Sequence, residues 1–160
     1  MKKLLTVASA IALYATSFGT VADDDFAFKS QIQGRQAHMK LYAYNLGILG
    51  AMAKGDREYD SDLASAAAKN LLANASMNNG TMWPGGSDAS VKGLEDKTAA
   101  KPEIWANFPE VGAKGKDLKN AVTTMAAEAG NGIGAVRANI GAVGDGCKGC
   151  HESFRISDDD

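Results

Sequence analysis

Three stretches of this chain repeat side chains at alternating intervals of four and three. The first runs Phe28, Ile32, Arg35, Met39, Tyr42, Leu46 and Leu49; the second Ile104, Phe108, Val111, Gly115, Leu118, Val122 and Met125. The third runs Ile133, Val136, Ile140, Val143, Cys147, Cys150 and Phe154. That spacing turns one face of an α-helix toward a partner helix, whereas a strand would need period two. A fourth, alanine-rich helix follows the Asp60-Ser61 cap and runs from Leu63 to about Met77. Only 3 prolines are present and β-branched runs are scarce, so the chain reads as all-α.

The punctuation fits four helices. The first is expected to start near the aspartates at 23–25, whose charge suits a helix N-terminus. "NNGTMWPGGSD" breaks the pattern after Met77, and a polar loop continues to Lys101. Pro102 suits the first position of the third helix, and Pro109 is expected to kink or interrupt its first turns. "GNG" at 130–132 turns the chain into the last helix. Short connections make neighbours antiparallel, which gives an up-down-up-down four-helix bundle.

Met1-Lys2-Lys3 precedes a stretch without charge until Asp23. A basic head, an apolar run and small residues at Thr20 and Ala22 predict a signal peptide over residues 1–22, cleaved after Ala22. The strongly apolar part, Leu4 to Tyr14, falls short of the roughly 20 residues that span a bilayer. Nothing later resembles a membrane span. One domain, residues 23–160, is left to work outside the cytoplasm, in the periplasm. The net charge of −2 becomes more negative by two on losing Lys2 and Lys3, and no basic stripe offers itself to nucleic acid.

Both cysteines lie in "GCKGCH", residues 146–151, which also holds one of the 2 histidines. Such a cluster serves a redox disulfide, a zinc site or covalent haem attachment. Redox C-x-x-C pairs sit at helix N-termini, where the dipole lowers the thiol pKa; this pair sits at a C-terminal end. Structural zinc needs four ligands, and His38 is the one further nitrogen donor. Haem uses every residue: Cys147 and Cys150 as thioethers, one helical turn apart, and His151 as the proximal iron ligand. One covalent haem c per chain is therefore expected. Five methionines follow the signal peptide. Met52 and Met125 fall toward the opposite end of the bundle; Met39, Met77 and Met82 remain as candidates for the other side of the iron. Arg35 on an apolar stripe needs an anion such as a haem propionate, or else it snorkels at the bundle edge. No nucleophile–base pair or phosphate-binding loop is evident, so an enzyme is not expected.

The chain resembles the class II c-type cytochromes, the cytochrome c′ superfamily. The likeness is carried by "RQAHMKLYAYNLGILGAMAKG", "KPEIWANF" and "GAVGDGCKGCHESFR". It implies a haem motif near the C-terminus of a four-helix bundle. It also implies two branches: five-coordinate, high-spin members that bind nitric oxide or carbon monoxide, and a low-spin cytochrome c-556 type that carries electrons. The latter supplies a helix 1 methionine four residues after an arginine, within a Met-Lys pair. Here that residue is Met39, four after Arg35 and followed by Lys40. The resemblance further implies that Arg155 flanks the proximal pocket, that Gly141 and Gly144 allow close approach by haem or a neighbouring helix, and that homodimers form through helices 1 and 2. The expectation is an electron carrier serving redox partner proteins, with Met39 inward, His38 outward, Trp105 and Phe108 in the core and Lys148 exposed.

Overall fold

The computed structural model describes residues 25–157. The signal-peptide reading of residues 1–22, Asp23 and Asp24, and the final aspartates lie outside the described residues. The helices are α1 Lys29–Lys54, α2 Ser61–Ser76, α3 Glu103–Ala106, α4 Phe108–Glu128 and α5 Ile133–Phe154, with a 3-10 turn at Gly80–Met82. α1 packs against α2 and α5, and α4 packs against the same two, so the four long helices close a ring. The expected bundle is present.

Contacts at the two ends set its direction. At one end Tyr59, between α1 and α2, donates to the Ala129 carbonyl at 2.9 Å and accepts from the Gly132 amide at 3.0 Å, both between α4 and α5. Arg137 near the start of α5 donates to the Ala53 carbonyl near the end of α1 at 2.9 Å. At the other end His38 of α1 meets Asn74, near the end of α2. Neighbouring helices therefore run antiparallel. Tyr59→Phe removes both hydroxyl bonds and is expected to lower unfolding free energy by about 1–3 kcal/mol, read from urea denaturation. An unchanged midpoint would show that this corner does not hold the end closed.

The main core joins Leu49, Met52, Leu71, Val122, Met125, Val136 and Val143 to Ala64, Ala67 and Ala68. The alanines give α2 a thin inward face, which lets α1 and α4 approach it. Met52 and Met125 are core filler, as their position toward the far end implied.

Helix boundaries follow local chemistry, with two departures from expectation. Asp60 caps α2, its Oδ1 accepting from the Leu63 amide at 2.8 Å. α1 starts later than expected: Phe28 takes a left-handed conformation (φ 57) and no acidic residue lies in the first turn. Asp25 therefore does not cap it. The interruption expected near Pro109 is real. Asn107 (φ −124, ψ 42) separates α3 from α4, and Pro109 occupies the first turn of α4, where a missing N–H is harmless. The break takes Phe108 off the inward face; it is 57% exposed rather than in the core.

The connection after α2 is less polar in its packing than in its composition. Ser87, Asp88, Leu94 and Thr98 are buried, and the Ala89 amide donates to the Ala100 carbonyl at 2.9 Å. The same segment clasps the end of α5. Lys101 N donates to Phe154 O at 3.0 Å, Ile156 N donates to Ala99 O at 2.9 Å, and Ala100 and Arg155 form an antiparallel bridge.

Candidate functional site

Cys147 and Cys150 are half-buried on the face of α5 that also carries the buried Val143 and Phe154. Cys150 packs in a second cluster with Ala100, Ile104, Phe154, Trp83 and Trp105. Burial pushes both thiols above their ordinary pKa. The charge of Cys150 adds to the shift at Cys147, while Lys114 partly opposes it at Cys150. Among the described residues no group of three or more His, Cys, Asp or Glu side chains converges to hold a metal ion. Two half-buried thiols one helical turn apart, beside the exposed imidazole of His151, fit covalent haem attachment.

Lys148, exposed as expected, lies 3.5 Å from Glu152. Of the two uses expected of Gly141 and Gly144, close approach by a neighbouring helix is not seen. A Cβ at Gly141 or Gly144 would meet nothing within 4 Å, so no neighbouring helix approaches them. The close approach falls at Gly146, whose Cβ would lie 3.0 Å from Leu118 Cα of α4. Arg155 lies just past the last helix. α5 ends at Phe154, and Arg155 is the extended residue after it, its amide donating to the His151 carbonyl at 3.0 Å.

On α1, Tyr42 of the expected stripe is half-buried; burial first, then the charge of Cys147, pushes its hydroxyl up to about 12. His38 is 2% exposed, whereas Met39 is 40% exposed. The inward and outward assignments of this pair are thus reversed with respect to the bundle core. Neighbouring helical residues point about 100° apart, and the histidine takes the α2 side because Asn74 satisfies it there, Nε2 meeting the Asn74 carbonyl at 3.0 Å. Of the other methionines, Met77 is 43% exposed after the end of α2. Met82 is half-buried, its Sδ 3.6 Å from where a Gly34 Cβ would lie.

Arg35 is buried, so it does not snorkel at the bundle edge. Its Nη1 donates to Ser87 Oγ at 2.7 Å, and its Nη2 donates to Thr98 Oγ1 at 2.8 Å and to the Ser87 carbonyl. The guanidinium carbon lies 4.8 Å from the centre of the Trp83 ring. Burial lowers its pKa and the nearby Asp88 charge opposes that. Three of its five N–H groups are thereby used. Sequence reasoning missed this anchorage of the loop; its signal was an arginine on an apolar stripe, which demands acceptors from somewhere.

The bundle, with its C-x-x-C-H turn on the last helix, has known counterparts. Residues 30–155 match the family described as Cytochrome C'. The chain belongs to the cytochrome c′ family. A cytochrome c-554 from Cereibacter sphaeroides is 37% identical over 127 residues, covering 79% of this chain and 93% of that one. A cytochrome c-556 from Rhodopseudomonas palustris is 31% identical over 155 residues, covering 95% and 97%. The solved cytochrome c' from Rhodobacter Spheriodes superposes with a TM-score of 0.75 at 34% identity, covering 82% of this chain and 99% of that one.

Cytochrome c′ family members are non-enzymatic haem proteins that bind one haem c covalently, and here the attachment residues are Cys147 and Cys150. Haem supplies the one-electron iron chemistry. The chain supplies the anchoring thiols and the apolar wall around Cys150. Cys147→Ala or Cys150→Ala is expected to leave at most one thioether. Mass spectrometry after acid-acetone extraction should find the wild-type colour retained on the chain; colour lost to the solvent from wild-type protein would overturn covalent attachment.

Proposed function

We propose that this cytochrome c′ family protein is an exported electron carrier, its haem iron held by His151 on one side and Met39 on the other. One observation carries the reading: Arg137 of α5 donates to the Ala53 carbonyl of α1 at 2.9 Å. α1 and α5 run antiparallel, so moving back along α1 from Ala53 corresponds to moving onward along α5 from Arg137 by the same number of residues. Met39 is then level with His151, and its side chain is 40% exposed. The Met39-Lys40 pair and the likeness to a cytochrome c-556 support the same assignment. His151 and Met39 together would close the iron, so that little rearranges when an electron arrives, and nitrogen–thioether ligation raises the reduction potential. Arg35 retains two N–H groups for a propionate, and Arg155 stands beside the proximal turn.

Family members are typically periplasmic. Among the described residues no helix is long and apolar enough to cross a membrane. The basic head and apolar run of residues 1–22 support export with cleavage after Ala22. The family includes dimers; Leu41 and Tyr44, exposed at 54% and 68% on α1, support a homodimer through that helix.

A second reading rests on the exposure of Met39 and on the likeness to a cytochrome c'. In it Met39 stays off the iron, and the open side binds nitric oxide or carbon monoxide. One optical spectrum separates the two. A low-spin oxidised spectrum with a weak near-infrared sulfur–iron band supports the electron carrier; a high-spin spectrum with rapid carbon monoxide binding on reduction supports the gas binder.

A further inference from the structure

Two polar pairs join α1 to α2 across an otherwise apolar seam. The Nε2 of His38 donates to the Asn74 carbonyl at 3.0 Å, and Asn74 Nδ2 donates back to the His38 carbonyl at 3.1 Å. Two turns along α1, Asn70 Nδ2 donates to Asn45 Oδ1 at 3.1 Å, while Asn45 Nδ2 donates to the Leu41 carbonyl at 2.8 Å. His38 and Asn45 are both buried.

Apolar contacts tolerate sliding and rotation; buried hydrogen bonds are satisfied in one setting only. The His38–Asn74 pair is reciprocal, so turning α1 by one residue breaks both bonds and leaves two buried polar groups unmet. His38 also packs against Tyr42, ring centres 5.1 Å apart, which ties its setting to the half-buried side of α1 next to it.

We infer that the His38–Asn74 pair is a positioning device that fixes the rotation of α1, and so offers the Met39 sulfur to the haem iron. The inference rests on the reading of Met39 as sixth ligand. His38 acts through its neighbour and does not itself touch the iron. Its Nε2 is committed to α2, and its Nδ1 is buried without a hydrogen-bond partner. With His38 held toward α2, Met39 lies about 100° around the helix and cannot turn into the α1–α2 seam.

The test uses holoprotein carrying His38→Leu, His38→Gln, Asn74→Ala or Met39→Ala, with two readouts: the near-infrared sulfur–iron band, and the rate of carbon monoxide binding to reduced protein. His38→Leu is expected to weaken the band and speed carbon monoxide binding about tenfold, the effect of losing one or two buried hydrogen bonds from the closed arrangement. His38→Gln, which keeps a donor, should restore most of both. Should His38→Leu yield no holoprotein, Asn74→Ala removes the reciprocal bond alone and is judged by the same readouts. If Met39→Ala abolishes the band while His38→Leu and Asn74→Ala leave both readouts at wild-type values, the positioning role is overturned and the ligand stands. If Met39→Ala changes nothing, the ligand reading fails and takes the inference with it.

Discussion

Met39→Ala is expected to convert a low-spin electron carrier into a high-spin, gas-binding protein. The level of Met39 on α1 follows from Arg137 meeting Ala53 across the antiparallel α1 and α5, and its side chain is exposed outside the core. If that sulfur is on the iron in all but about one molecule in a hundred, removing it raises the apparent carbon monoxide affinity about a hundredfold. The reduction potential should fall, on the order of a hundred millivolts, since the thioether that favours ferrous iron is gone. Stability should change little, because the side chain contributes nothing to the main core. Spectroelectrochemistry and flash photolysis read both quantities on one sample. The same switch in Met77 or Met82 variants, with Met39→Ala silent, would keep the function and move the ligand.

Arg35→Leu carries the second large effect, this time on folding. The substitution strips hydrogen bonds from the buried Ser87 and Thr98 and removes a cation whose charge is felt by the buried Asp88. Removing one partner from a buried charged network costs about 3–5 kcal/mol, so the urea midpoint should drop sharply. If a propionate also takes the remaining N–H groups, losing the cation disfavours the reduced haem and the potential falls as well. Arg35→Lys separates the two roles. It keeps the charge and loses the planar fork, so stability should fall while the potential stays near wild type. A wild-type urea midpoint for Arg35→Leu would remove the loop anchorage.

Periodicity explains why the bundle is legible in the amino-acid sequence. α2, α4 and α5 announce themselves through a cap at Asp60, a proline at the first turn and a stripe from Ile133 to Phe154. The haem turn is legible for a chemical reason, since C-x-x-C-H leaves little else for two thiols and an imidazole to do. The rotation of α1 is hidden. Its intervals accommodate Met39 and Leu46 or His38 and Asn45 almost equally, one residue being about 100° of turn. Hydrophobicity favours the first set. The second is buried because Asn74 and Asn70, on another helix, supply the hydrogen bonds. The partners of Arg35 are hidden for a related reason: Ser87 and Thr98 lie in a segment without period, where no spacing rule applies. Arg155 escapes the helical pattern by a single residue, because the clasp pulls it into a bridge with Ala100 just as the helix stops.

That clasp also bears on the order of assembly. Its backbone bonds join residues 99–101 to 154–156, and behind them the wall of Ile104, Phe154 and Trp105 covers Cys150. A broad planar group reaches that half-buried thiol more readily with the wall open. Opening it, however, sacrifices only a handful of backbone bonds and a small apolar cluster, far less than unfolding the core around Leu49, Val122 and Met125. The chain can thus have one end fully built while the other still swings free, so that its cofactor enters like a page slipped into a book already bound at the spine.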